Sequence, residues 1–250
     1  MKALKAGQHA LVSIHDVMPE TLAAVQRCLD ECRARDVYDV YLLVVPGRSW
    51  SCVQIQQLHQ WVEEGCLLAG HGWLHECSRI VRPYHRLHSA LMSRNVAEHL
   101  ELEPGGITAL MMQCHDWFVF NQLPAPSLYV PPAWALGKVE NLQIQRTGFE
   151  FVETLRGVVH LQRDQRKLSL LLGYEADTAL RRRVLSVWNR ANRRLAHWQG
   201  AIRIGLHPDD LDLQLSRQLR ADLARCQAIT LHDIFGKATV KPAEQSRVSS

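Results

Sequence analysis

The chain lacks any apolar run of the ~18 residues that a membrane span needs. Its seven cysteines, at 28, 32, 52, 66, 77, 114 and 226, form no C-x-x-C pair. An odd, scattered set of thiols does not make a disulfide framework, so most are expected to be free and buried. Charge of one sign is also scarce. Against 25 Asp+Glu stand 29 Lys+Arg, and a formal net charge of +4 predicts no specific nucleic-acid partner. No internal repeat or break in composition marks a second domain. The opening stretch, MKALKAGQHALVSI, has neither the apolar length nor the cleavage site of an export signal, and a cytoplasmic location is expected. What is present is a 47% hydrophobic chain of 250 residues, which excludes disordered and collagen-like classes and can form one large domain. Oligomeric state stays open.

Strand and helix patterns alternate along the chain. Ala10–Ile14 is a short apolar strand ending at His15-Asp16, and a helix is predicted over about 20–35, with Leu22, Val25, Cys28, Leu29 and Cys32 on one face. Tyr38–Val45 reads as a buried strand stopped by Pro46-Gly47; a helix closed by Gly65 and a strand ending at His71 follow. Helices are predicted near 84–103, 106–122, 136–147, 178–199 and 209–225. Strands are predicted at 127–130, 149–154, 157–161, 168–172, 201–206 and 227–231. Repeated strand–helix units imply an α/β fold with a mostly parallel sheet and outer helices. Seven or eight strands in one chain favour a single β/α barrel over residues 1–235, complete or not, with a polar, frayed tail at 236–250.

Four polar clusters fall at predicted strand ends: His15-Asp16, the stretch His71 to Glu76, Pro131–Trp134, and His207-Pro208-Asp209-Asp210. In a parallel barrel these ends form one face, where active sites are built. His71 and His75, four apart, can share a helical face and grip one metal ion; the alternative is one packed and one exposed histidine. Gly70 and Gly72 suit a tight strand-to-helix turn around His71. Asp16 adds a carboxylate, or else serves only as a turn or helix-cap residue before Pro19. Two imidazoles and a carboxylate leave positions open for water and substrate on zinc, and equally suit iron, cobalt or manganese.

IHDVMP, GHGWLHE, YVPPAW and GLHPDD occur in this order, and together they resemble the polysaccharide deacetylase (NodB-homology) superfamily. The closest likeness is to a branch with IHD-x-x-P, HG-x-x-H and HP-x-D motifs. The resemblance covers about residues 10–235. It implies a distorted (β/α) barrel of about seven strands and one divalent metal ion, zinc foremost, held by Asp16, His71 and His75. The implied activity is removal of an acetyl or similar acyl group from an amide or ester on a small or oligomeric acetylated sugar, by metal-activated water. His207 matches the late-strand histidine that protonates the leaving group, with Asp210 orienting it. His15 stands where the superfamily usually places an aspartate base. The usual arginine before the third-motif prolines is absent. What that motif retains is rigid Pro132, the Ala133 backbone as an oxyanion donor, and Trp134 as a pocket wall. These departures support an alternative reading: a catalytically silent barrel that holds metal or binds a glycan or anion.

Other features rank lower. Glu76 is a surface residue or a spare base. Cys114-His115-Asp116 lies in a helical pattern whose neighbours point apart, so packing explains it. His232-Asp233, at the end of the last predicted strand, is placed near the barrel mouth. Residues 156–203 hold 11 Lys+Arg against three acids. Within them Leu180, Val184, Val187, Ala191, Leu195 and Trp198 form the predicted packed stripe of a helix whose arginines are solvated, or else face an anionic sugar, membrane headgroups or RNA.

Overall fold

The computed structural model describes residues 6–74, 102–137, 139, 141–199 and 201–236. His75, Glu76, Cys77, the helix predicted near 84–103 and most of the polar tail lie outside them. In chain order the elements are β1 (Gln8–Val17), α1 (Leu22–Arg33), β2 (Val40–Val44), α2 (Cys52–Glu63), β3 (Leu67–Gly70), α3 (Pro104–Phe120), β4 (Leu128–Tyr129), α4 (Asn141–Ile144), β5 (Phe151–Thr154), β6 (Gly157–His160), β7 (Gln165–Leu168), β8 (Leu170–Leu172), α5 (Ala179–Gln199), β9 (Ile202–Leu206), α6 (Ser216–Leu223), β10 (Cys226–Ala228) and α7 (Leu231–Phe235).

The ten strands form one sheet in the order β7-β6-β5-β4-β3-β2-β1-β9-β8, with β10 added to β1. All pairings are parallel except β5–β6 and β6–β7. This is the expected distorted barrel with outer helices, enlarged by an antiparallel excursion that period-2 reading did not separate: β7 and β8 are two strands where one was predicted. The parallel strands β2, β4 and β9 are buried on both faces. On β1, Ala10, Val12 and Ile14 join the layer under the helices, while Leu11 joins the barrel interior with Tyr41, Leu43, Ala69, Leu128, Val130 and Phe151. The helices meet the outer layer through stripes at helical spacing, such as Val25, Cys28, Leu29 and Cys32 of α1. Burial lifts the Cys28 thiol to about 12 and makes it unreactive.

α7 replaces the end of the last predicted strand. Thr230 and Asp233 form its capping box, and its first amide, Leu231 N–H, donates to the Tyr41 hydroxyl at 3.0 Å. His232 packs on Phe151, the first residue of β5, so it sits at the N-terminal end of the barrel and not at the mouth.

α5 faces the barrel with a different side from the predicted one. Leu180, Val184, Val187 and Leu195 are 72, 42, 69 and 52% exposed, whereas Leu185, Asn189, Asn192, Arg193 and Ala196 are buried. The reason is the edge strand β8. Asn192 Nδ2 donates to Leu171 O at 2.8 Å, Asn189 pairs with both main-chain groups of Gly173, and Arg193 pairs with buried Asp222. Leaving those edge groups buried without partners costs more than exposing an aliphatic stripe.

Among the described residues the two ends of the sheet, β7 and β8, do not pair, and Ser169 joins them along the chain. Arg203, on the inward register of β9, closes this seam. Its guanidinium donates to Thr154 O, Leu155 O and Ser169 O at 2.7, 2.8 and 2.7 Å and pairs with Glu153 at 2.8 Å. Both side chains are almost fully buried. Glu153→Ala strands the arginine charge in the interior, and a loss of about 3–5 kcal/mol in unfolding free energy is expected by urea titration. A loss below about 1 kcal/mol contradicts this role for the pair.

Candidate active site at the strand ends

Four strands deliver the site. On β1 the pairing with β2 slips between Ile14 and Val17, and inside this bulge Asp16 takes a φ of 53°. A bulge re-aims a side chain, here the carboxylate. Thr21 holds the following turn: its hydroxyl donates to Asp16 O at 2.6 Å and accepts from Met18 N–H at 2.9 Å.

β3 ends at Gly70, where a Cβ would meet Cys114 Sγ at 2.8 Å, and Gly72 turns with φ 75°. Between them, His71 N–H donates to Val44 O at 2.9 Å and its Nδ1 lies 2.7 Å from Val130 O. A carbonyl only accepts, so Nδ1 is the donor in this contact. The other ring nitrogen, Nε2, lies 3.5 Å from Asp16 Oδ1.

After β4, Pro131 is extended, Ala133 turns left-handed with φ 53° and ψ 23°, and Trp134 also has φ 53°. Two consecutive non-glycine residues at positive φ cost about 1 kcal/mol or more each, strain of the kind that clusters at functional sites. Trp134 N–H donates to Pro131 O at 2.8 Å, and its indole N–H donates to Glu153 Oε1 at 2.7 Å. Pro132 and Ala133 are buried in this turn.

β9 ends at His207. Its N–H donates to Asp210 Oδ2 at 2.8 Å, and Asp210 N–H donates back to His207 O at 3.1 Å. The same carboxylate, fully buried, stands 3.7 Å from His207 Nδ1. Burial disfavours the charged ring, but Asp210 beside it, with Asp16 and Glu175 further away, outweighs this and pushes its pKa up to about 10.

His15 sits at the centre. Its ring lies 5.1 Å from His71, 5.2 Å from Trp134 and 4.8 Å from His207, centre to centre. Nε2 is 3.3 Å from Ser13 Oγ, and a Cβ at Gly205 would come within 3.2 Å of it. The ring fits because β9 carries no side chain there.

Thus Asp16, His15, His71, Pro132, Ala133, Trp134, His207 and Asp210 share one end of the barrel, while His75 lies outside the described residues. Among the described residues no group of three His, Cys, Asp or Glu side chains is placed to hold a metal. Asp16 Oδ1 and His71 Nε2 nevertheless fit two sites of one cation. Ligands about 2.0–2.2 Å from a tetrahedral ion lie about 3.4 Å apart, and the two donors are 3.5 Å apart. The Val130 carbonyl supplies the outer hydrogen bond that fixes the tautomer of a metal-binding histidine. Cys114-His115-Asp116 takes no part: Cys114 is buried in the core and Asp116 faces solvent.

The sequence reading missed Glu153, Arg203 and Glu175. The first two carried a usable signal, since each is a charge on the inward register of an apolar strand.

No family model matches the chain, and no curated protein is similar to it in sequence. Solved structures are similar in fold. A protein from Mycobacterium smegmatis described as a polysaccharide deacetylase superposes with a TM-score of 0.58 at 12% identity, covering 93% of this chain and 92% of that one. The chain has the polysaccharide deacetylase fold. The chitin deacetylase of Colletotrichum lindemuthianum gives a TM-score of 0.53 at 12% identity, over 95% of this chain and 92% of that one. The Xyl-CE4 domain of a multidomain xylanase from the hindgut metagenome of Trinervitermes trinervoides gives 0.50 at 16% identity, over 92% and 90%.

The raised pKa of His207 has a consequence for stability. Folding favours its protonated form, so the contribution is complete below about 6.5 and disappears as pH rises through about 10. In metal-free protein, the urea midpoint of wild type should fall over this range more steeply than that of His207→Gln. Parallel curves for the two proteins contradict the assignment.

Proposed function

We propose that the protein is a metal-dependent hydrolase that removes an acetyl or similar acyl group from an amide or ester on a sugar. The observation that carries this reading is the convergence of Asp16 Oδ1 and His71 Nε2 at 3.5 Å, on the face that also presents His207. The fold shared with a chitin deacetylase supports it. Asp16 and His71 would hold one divalent ion, with His75 as the third ligand expected from sequence. Zinc suits two imidazoles and a carboxylate, as do iron, cobalt and manganese. When bound, such an ion polarises the scissile carbonyl and acidifies water.

The chain's own groups do the remaining work. His207, held as imidazolium by Asp210, keeps a proton ready for the leaving nitrogen or oxygen. The main chain at Ala133, fixed by the two prolines before it, is the candidate donor to the developing oxyanion. Trp134 and the ring of His15 exclude water from one side. His15 is also the candidate base, since a neutral imidazole accepts a proton near pH 7.

One observation favours a second reading, binding without turnover: the His15 ring is buried, and its Nε2 is directed at Ser13. Kinetics separate the two. His207→Ala should lower kcat about 10²–10⁴-fold on an N-acetylated sugar, yet far less on an aryl acetate, whose leaving group needs no proton. An equal fall on both substrates removes His207 as the acid. His15→Ala should lower kcat by about 10²-fold or more with KM little changed if it is the base. Absence of turnover in metal-loaded wild type leaves the binding reading in place.

A further inference from the structure

α5 has an apolar face that the barrel does not use. Successive helical residues turn by about 100°, so Leu180, Val184, Val187, Trp188, Ala191 and Leu195 share about 100° of arc over about four turns. All six are exposed, Leu180 by 72% and Val187 by 69%. The side packed on β8, with Leu185, Asn189, Asn192 and Ala196, is turned about 120° away. The apolar strip therefore points outward from the barrel. Single exposed aliphatics need no explanation, but a continuous strip of them marks a contact surface.

Charge runs beside this strip. The 21 residues of α5 include six arginines and no acid. Arg181 is paired with Glu175 and Asp177, and Arg193 with buried Asp222. Arg182, Arg183, Arg190 and Arg194 are exposed and form no ion pair among the described residues. Of these, Arg183, Arg190 and Arg194 follow one edge of the strip, within about 60° of it.

A partner for this face must be apolar within and anionic at its surface. A second copy of the chain is not. Two-fold antiparallel pairing of α5 brings both basic edges to the same side of the contact, with no acid on the helix between them. A strip about 25 Å long and about 10 Å wide also falls well short of the about 800 Å² per partner of a stable protein interface. RNA would engage the arginines through its phosphates but leave Leu180, Val184 and Val187 uncovered. An anionic bilayer meets both needs, because acyl chains accept the aliphatic strip while headgroup phosphates meet guanidiniums along its edge.

We propose that α5 docks the protein on an anionic phospholipid surface. Leu180, Val184, Val187, Ala191 and Leu195 enter the headgroup–acyl boundary, and Arg183, Arg190 and Arg194 pair with lipid phosphates. None of these residues belongs to the candidate site, so this docking stands or falls apart from the hydrolase reading.

The test is co-sedimentation of the full chain with phosphatidylcholine vesicles and with vesicles of equal parts phosphatidylcholine and phosphatidylglycerol, at low and high salt. Wild type should bind the anionic vesicles about tenfold or more tightly than the neutral ones, and high salt should release it. Leu180→Gln/Val187→Gln and Arg190→Gln/Arg194→Gln should each weaken binding about tenfold or more. Circular dichroism should be unchanged in both, since all four side chains are exposed. Phe120→Ser, which removes an 84% exposed ring on α3, should bind like wild type. An equal loss in Phe120→Ser means unspecific adsorption and overturns the proposal. So does no binding by wild type, equal binding to neutral vesicles, or wild-type affinity in either double variant. Two further results also overturn it. One is a dimer, seen by light scattering, that Leu180→Gln/Val187→Gln dissociates. The other is RNA binding that only the arginine variant loses.

Discussion

The ion pair between Glu153 and Arg203 inside the barrel is the constraint on which the rest of the structure depends. A sheet whose end strands do not pair leaves a seam, and main-chain carbonyls at such a seam need donors. Arg203 supplies them to Thr154, Leu155 and Ser169, while Glu153 balances its charge. Burying two charges is costly, and here the cost is offset in part because both terminal nitrogens of Arg203 and Glu153 Oε1 meet further partners. The same Glu153 oxygen accepts the indole N–H of Trp134, so the group that closes the barrel also fixes a wall of the site. The usual arginine of the third motif is absent from this chain. A different arginine, from a different strand, occupies the middle of the barrel.

Above this floor the site is held under backbone strain. Asp16, Ala133 and Trp134 all adopt positive φ, and none is glycine. Such conformations persist only when the surroundings over-determine them. The bulge of β1 and the Thr21 hydrogen bonds do this for Asp16, and the prolines with the Glu153 hydrogen bond do it for the turn at Trp134. Electrostatically the strand ends gather Asp16, Asp210 and Glu175 around His207, which explains its raised pKa.

Much of this arrangement is readable in the sequence, for physical reasons. Parallel strands buried on both faces are apolar runs, and polar residues at their ends stand out, so His15-Asp16, His71 and His207-Asp210 could be assigned to one face before any coordinates. The Val25–Cys32 stripe of α1 was equally plain because an apolar core covers it. α5 misled because its packing partner is the edge of β8, which needs amide donors more than aliphatic cover; hydrophobic spacing pointed to Leu180, Val184, Val187 and Leu195, and hydrogen bonding chose Asn189 and Asn192. β7 was missed because its four residues are exposed and carry no apolar alternation. The Glu153–Arg203 pair joins strands about fifty residues apart, and no local pattern reports which inward charges meet.

The measurement that bears most directly on this account is calorimetric titration of zinc into metal-free, untagged protein, alongside His71→Ala and Asp16→Ala. The account predicts one tight equivalent in wild type, released protons below the pKa of the histidine ligands, and loss of that equivalent in both variants with the fold intact by circular dichroism. Full-affinity binding in either variant, or no binding by wild type to zinc, iron, cobalt or manganese, contradicts a metal centre at Asp16 and His71.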